Sequence, residues 1–292
     1  MRVAILNAGR GWHTDELTRA LQARGHEARL LPIQALTARI GGSPRLAAAD
    51  HDLETADAAL VRIIPRGSLE QIVFRIDALH WLERLGIRVV NAAGTVEKTV
   101  DKFYTSALLE QAGLKTPRTV VTERLDVAMA AFAEMRDVIV KPLFGSNGRG
   151  MVRVSDEEIA HRVFKALELE RAVYYVQQAL PHDGRDVRVF VVGDRVVASA
   201  WRSAPGWRTN VARGGRTEAA AIPDAWRAMG LAAARTVGAD YAGVDLLPTT
   251  TGEVFVLEVN GIPGWRGLQA TTDIDVASAI VEHVEALVGS RP

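Results

Sequence analysis

The first ninety residues alternate short apolar runs with stretches of helical periodicity, and this restricts the possible folds more than any other feature of the chain. Val3–Asn7, Ala28–Leu31, Ala58–Ile64 and Ile87–Val90 read as buried strands. Asp15–Arg24 and Leu69–Leu85 carry apolar residues at helical spacing and stop at Gly25 and Gly86. Strands separated in this way pair in parallel, with helices on the sheet faces. Arg39–Asp50, rich in glycine and alanine, reads as a mobile loop.

After this region the pattern changes. A helix is expected over Val96–Gln111, a strand over Arg118–Thr122, a helix over Leu125–Met135 and strands over Asp137–Lys141 and Met151–Val154. Ser155 and Glu158 have the spacing of a capping box that starts a helix running to about Leu167. The remainder is rich in strands (Val173–Gln177, Asp186–Val192, Arg195–Trp201, Tyr241–Leu247, Val254–Val259) with helices at Asp224–Val237 and Ile274–Val288. For 292 residues this gives three segments: an α/β domain over 1–96, a lobe with a glycine-rich lid over 97–175, and a strand-rich lobe over 176–292. The fold class is α/β followed by α+β.

Composition removes several classes of function. Lys+Arg and Asp+Glu are both 35, so the chain has no net charge with which to coat nucleic acid. The absence of cysteine excludes disulfides, zinc–thiolate sites and a thiol nucleophile. No apolar run reaches a membrane span, and MRVAILNAGRGW is too short in its apolar part for a signal peptide, so a soluble cytoplasmic protein is expected. The seven histidines form no metal-ligating pair, and no nucleophile-elbow motif is present. Only Lys98, Lys102, Lys115, Lys141 and Lys165 are lysines, so a lysine inside a motif carries more weight here than usual.

One such lysine ends a strand. In KPLFGSNGRGM, Gly145, Gly148 and Gly150 follow Lys141, with Ser146 among them. Glycines let backbone N–H groups converge on phosphate oxygens, and a serine hydroxyl adds a donor. No G-K-[ST] follows, so this is a hairpin lid over a nucleotide or a hairpin without a ligand. Two later strands each hold a carboxylate among apolar residues, Asp245 in GVDLL and Glu258 in VLEVNG. Glu258 and Asn260 are two apart and share a strand face. Burying such groups costs several kcal/mol unless cations or donors compensate. Oxygen-only ligands suit Mg²⁺ or Mn²⁺ shared with phosphates, and two ions about 3.5–4 Å apart would serve a phosphoryl transfer. A structural ion pair with arginine is the alternative.

These motifs, in this order, resemble the ATP-grasp carboxylate–amine ligases, and within them the RimK-like α-L-glutamate ligases. The resemblance runs through VDKFYTSALLEQAGLKTPRT, VIVKPLFGSNGRGM, DVRVFVVGDRVVASAWR, WRTNVARGG, AGVDLL and LEVNGIPGWRGLQ. It implies an ATP-grasp fold behind a Rossmann-like pre-ATP-grasp domain. It also implies that Lys102, Lys141, Gly145, Ser146 and Gly148 meet ATP phosphates, with Gln178 and Ala179 at the adenine hinge. Gln178 stands where an acidic residue is usual, and Asp186 is the candidate to replace it. Arg188, Arg208 and Asn210 fall at positions near the transferred phosphate and acyl group, and Asp245, Glu258 and Asn260 at the magnesium ligands.

The implied reaction phosphorylates a substrate carboxylate with ATP and lets L-glutamate displace the phosphate. The quoted motifs look most like ligases acting on tetrahydromethanopterin-type or methylofuran-type coenzymes. A protein tail is the alternative acceptor, and a non-catalytic nucleotide-binding regulator the alternative of another class. Arg62, Arg66, Arg202, Arg213, Arg216 and Arg266 are candidates to line a channel for an acidic chain, and Trp201, Trp207 and Trp265 either stack on an acceptor or fill the core. No nucleic acid or membrane partner is expected, and the family implies a dimer or tetramer.

Overall fold

The computed structural model describes residues 1–145, 150–204 and 215–290. β1 (Arg2–Asn7), α1 (Trp12–Ala23) and β2 (Glu27–Pro32) lead to β3 (Leu36–Ala38), β4 (Leu46–Ala48) and β5 (His51–Asp52). Next come β6 (Ala58–Val61), α2 (Leu69–Arg84) and β7 (Arg88–Val90). β2, β1, β6 and β7 pair in that order, all parallel, as the alternation requires. The segment 39–50 is more ordered than its composition suggests. Leu46, Ala47 and Ala48 are buried and pair antiparallel with β3, so a three-residue strand lies inside the expected loop. Three small apolar residues are too short a run to show periodicity.

The helix expected over Val96–Gln111 is two: α3 (Ala93–Val100) and α4 (Lys102–Gln111). Between them Asp101 adopts extended dihedrals, and its carboxylate accepts the Tyr104 N–H at 3.0 Å. An aspartate that caps a new helix competes with continuing the old one. β8 (Thr119–Thr122), α5 (Leu125–Met135), β9 (Val138–Lys141), β10 (Val152–Val154), α6 (Glu157–Leu169) and β11 (Tyr174–Gln178) form the central lobe. Its sheet runs β10-β9-β11-β8, antiparallel throughout. Asp156, not Ser155, caps α6, accepting from the Ile159 N–H at 2.9 Å.

The largest sheet has the order β14-β13-β12-β15-β16. It comprises β12 (Arg185–Val192), β13 (Arg195–Ser203), β14 (Arg216–Ala219), β15 (Tyr241–Pro248) and β16 (Val254–Asn260). α7 (Asp224–Val237) covers one face, packing Ala233, Ala234 and Val237 on Val187, Val189 and Val244. Gly230 permits this approach, since a Cβ there would sit 2.8 Å from the Val189 Cγ1. After the short α8 (Arg266–Gln269), α9 (Val276–Gly289) returns to the first domain. Ile280, Val281 and Val284 of α9 share one core with Leu17 and Leu21 of α1, Val3 and Ile5 of β1, and Phe190 of β12.

Candidate active site

Register across the large sheet decides which side chains meet. Arg188 on β12 lies opposite Asp245 on β15, which lies opposite Glu258 on β16. Asp186, two residues before Arg188, lies opposite Arg202 on β13, and Gly243 opposite Asn260. Side chains two apart, or directly paired across strands, share a face. One end of that face therefore carries Asp186, Arg188, Arg202, Asp245, Glu258 and Asn260. Further along β12 the same face becomes apolar at Phe190 and Val192, where the N-terminal domain covers it.

The charges are ordered into a ladder. Arg202 gives Asp186 two bonds, both 2.7 Å, and also reaches Asp245 Oδ2 at 2.8 Å. Arg188 donates through Nε to Asp245 Oδ1 and through Nη2 to Oδ2 at 2.9 Å. Burial pushes the Asp245 carboxyl up, but Arg188 and Arg202 hold it below the usual carboxylate range. Burial likewise opposes the charge on Arg202, while Asp245 and Asp186 hold its pKa above the ordinary value. Gly243 makes room for the ladder: a Cβ there would lie 2.9 Å from the Arg188 Cδ. Half-buried Glu258 differs, with no hydrogen bond or ion pair among the described residues. Asn260 donates its amide to the Gly243 carbonyl at 3.2 Å, leaving its oxygen as an acceptor.

Two lysines lie near this ladder, Lys141 of the central lobe and Lys102 at the start of α4. Lys141, at the end of β9, is buried and donates to Gln177 Oε1 at 2.5 Å; Gln177 in turn donates to Thr119 Oγ1 at 3.0 Å. Burial lowers the Lys141 pKa to about 8, with Glu258 and Asp245 opposing the shift and Lys102 adding to it. Burial also lowers Lys102, against the pull of Glu258 and Asp101. The break at Asp101 sets Lys102 at the start of α4, from which its Nζ donates to the Gly145 carbonyl at 2.8 Å. Lys102 thereby anchors the first residue of the glycine loop. Beside the ladder, between the N-terminal domain and the large sheet, is a cavity of about 550 Å³. Arg62, Arg188, Arg202, Glu258, Asn260 and Arg266 are among its lining residues.

A RimK-like ATP-grasp domain matches residues 99–284 and a RimK PreATP-grasp domain residues 1–96. The chain belongs to the RimK-like ATP-grasp family. A tetrahydromethanopterin:α-L-glutamate ligase of Methanococcus maripaludis is 31% identical over 289 residues, 97% of each chain. Its namesake in Methanocaldococcus jannaschii is 34% identical over 245 residues, 82% of each chain. The RimK domain ATP-grasp protein of Sphaerobacter thermophilus superposes with a TM-score of 0.75 at 25% identity, covering 98% of this chain and 100% of that one. The ATP-grasp ligase PsnB, solved with a minimal precursor, Mg and ADP, gives a TM-score of 0.76 at 22% identity, covering 98% of this chain and 97% of that one. The fold is thus an ATP-grasp fold behind a pre-ATP-grasp domain, and the chain is an ATP-grasp ligase.

As RimK-like site residues, those singled out from the sequence fall into three groups. The structure brings Lys102, Lys141, Arg188, Asp245, Glu258 and Asn260 close to one another. Gly145 starts the loop, whereas Ser146, Gly148, Arg208 and Asn210 lie outside the described residues. Gln178 ends β11, its N–H donated to the Arg118 carbonyl at 2.8 Å, and the Ala179 N–H is donated to the Asp137 carbonyl at 2.9 Å. Asp186, the candidate to replace a hinge acid, accepts two hydrogen bonds from Arg202 within the large sheet.

The proposed arginine channel is smaller than expected. Arg62, Arg202 and Arg266 line the cavity; Arg66 is exposed in the loop before α2, Arg216 starts β14 and neither is among the lining residues, while Arg213 lies outside the described residues. Trp265 is a core residue, 1% exposed, and Trp201 packs edge-on against Trp226 with Arg185 over its ring, so neither is an open stacking platform. Trp207 lies outside the described residues.

The donors fit a divalent ion. Glu258 offers a carboxylate without a partner among the described residues and Asn260 a carbonyl oxygen, while the arginines take three of roughly four lone-pair directions on Asp245. An all-oxygen set of this kind suits magnesium. Sequence reasoning missed Gln177, which holds Lys141 by hydrogen bonding, and Gly243, whose missing side chain admits Arg188. Only the second left a signal, a glycine inside a buried strand.

Proposed function

We propose that this chain joins L-glutamate to a carboxylate on a small-molecule coenzyme of the tetrahydromethanopterin type, in the cytoplasm, with ATP as the energy source. The observation that carries the reaction is a Glu258 carboxylate with no hydrogen bond or ion pair among the described residues, beside Asn260 and Asp245 and near two lysines of lowered pKa. The names and full-length similarity of the methanogen relatives support the choice of substrates.

A carboxylate is a poor electrophile, so the reaction phosphorylates it and the glutamate amine then displaces phosphate. Lys141 and Lys102 meet the phosphate oxygens as point charges. Arg188, already positioned by Asp245, lies beside the cavity where negative charge grows on the transferred group. Asp245, Glu258 and Asn260 would hold two Mg²⁺ (or Mn²⁺), which supply further charge neutralisation. Arg208 and Asn210 are assigned to the phosphoryl group and the acyl oxygen by their place in the motif WRTNVARGG. Lys102, tied to Leu143 and Gly145, couples occupation of the cleft to the glycine loop that excludes water.

Mass spectrometry tests the reading with the protein, MgATP and isotope-labelled L-glutamate. Tetrahydromethanopterin-type and methylofuran-type coenzymes are offered in parallel with a purified ribosomal protein. Label in a coenzyme, with one ADP per glutamate added, is the expected result. Label in the protein alone would replace the acceptor. No label together with no ADP would overturn the ligase reading.

A further inference from the structure

Arg62, immediately after β6, is 8% exposed, and no carboxylate pairs with it among the described residues. Its Nη1 donates to the Tyr241 hydroxyl at 2.9 Å and its Nη2 to the Pro263 carbonyl at 2.8 Å. Its guanidinium lies 4.6 Å from the Trp265 ring centroid, and its Nε is buried with no partner. Every contact is neutral, so the positive charge stays uncompensated in a buried position. Such a charge costs several kcal/mol unless an anion arrives to pair with it. Arg266 lines the same wall of the cavity, exposed and without a hydrogen bond or ion pair among the described residues.

His13 completes this wall. Its Nε2 accepts the Trp265 N–H at 2.9 Å, which places the ring proton on Nδ1. Burial, then Arg62 and Arg266, lower its pKa to about 4, so the ring is neutral near pH 7. The wall thus offers two guanidiniums and a neutral imidazole donor with no acid of its own. Glu258 and Asn260 line the same cavity. At about 550 Å³ it has room for an amino acid and part of a larger acceptor.

We propose that His13, Arg62 and Arg266 form a seat for a non-reacting carboxylate of an acidic substrate, whose reacting group lies towards Glu258 and Asn260. The inference rests on the ligase reading for the identity of that substrate, which is either L-glutamate or the coenzyme acceptor. The charge arrangement stands independently of turnover.

The test therefore joins binding to kinetics. Glutarate, a dicarboxylate without an amine, is titrated calorimetrically into the MgADP-loaded protein and into the Arg266→Ala, Arg266→Lys and Arg62→Gln variants. Arg266→Ala changes an exposed residue and is expected to weaken glutarate at least tenfold, with MgADP affinity unchanged and partial recovery in Arg266→Lys. In turnover, a KM increase confined to L-glutamate assigns the seat to the incoming amino acid. An increase confined to the coenzyme assigns it to the acceptor, and either supports the seat. Glutarate affinity and both KM values within twofold of wild type in Arg266→Ala and Arg62→Gln would overturn it. If wild type binds glutarate in an Arg266-dependent way but ligates no glutamate, the ligase reading fails and the seat survives.

Discussion

Asp245 and Glu258 sit side by side on adjacent strands, yet their surroundings assign them different duties. Asp245 is buried between two arginines, whereas Glu258 has no partner among the described residues. Asp245→Asn leaves Arg202 and Arg188 with a neutral neighbour, so it should lower stability by about 3–5 kcal/mol as well as abolish turnover. Glu258→Gln should remove turnover by at least about a hundredfold while changing stability by less than about 1 kcal/mol. Urea denaturation beside a ligation assay separates the two. Lys141 gives a pH signature. Phosphate prefers its charged form, so nucleotide affinity falls as the pH rises through about 8, by at most about tenfold per unit. Without nucleotide the sign reverses for folding: between about 8 and the ordinary lysine value of 10.5 the unfolded chain holds the extra proton, and this lysine's contribution to stability rises with pH. Nucleotide Kd measured from pH 7 to 9.5 should lose the inflection near 8 in Lys141→Met.

At the scale of elements, Asp101 has more influence than its sequence context suggests. Its cap on α4 divides what apolar periodicity presents as one helix, and the division sets where Lys102 begins. Asp101→Ala should cost about 1 kcal/mol of stability, as for a lost N-cap, and weaken nucleotide binding through the displaced lysine; thermal unfolding and a nucleotide titration check both effects. This contrast shows what the sequence discloses. Spacing alone placed Glu258 and Asn260 on one strand face, and apolar runs located most strands to within two residues. An ion pair of Asp245 with arginine was one of the two readings its sequence allowed, but that Arg188 and Arg202 supply it was not legible, because this depends on register between strands far apart in sequence as much as on their content. Gln177 was hidden for a related reason: its partner Lys141 is reached only once β9 and β11 pair. Arg62 was legible as a charge within the strand read over 58–64 and as a channel candidate, but its burial against Trp265 needed the third dimension.

Across the whole molecule, the pre-ATP-grasp domain and the large sheet are built around one core, to which α1, α9, β1 and β12 all contribute. Asn91 adds a polar fastening. Fully buried, its side chain donates to the Tyr241 and Gly261 carbonyls at 2.7 and 2.6 Å and accepts from the Asp240 and Tyr241 amides. Asn91→Ala should destabilise by about 3 kcal/mol or more, since it orphans several buried backbone groups. Both regions should then unfold together in a single urea transition that shifts as a whole, and two separate transitions would contradict the shared core. That joint architecture is what places a cavity lined by His13 and Arg62 against the Glu258 carboxylate of β16. In the proposed reaction a substrate carboxylate is activated by phosphorylation, which passes one of its oxygens to phosphate. Acceptor carrying ¹⁸O in its reacting carboxylate is turned over with MgATP and L-glutamate, and the released phosphate is analysed by mass spectrometry. ADP is the expected nucleotide product, with one ¹⁸O in phosphate for each amide formed. Amide formation with AMP as the product, or with no ¹⁸O in phosphate, would contradict it.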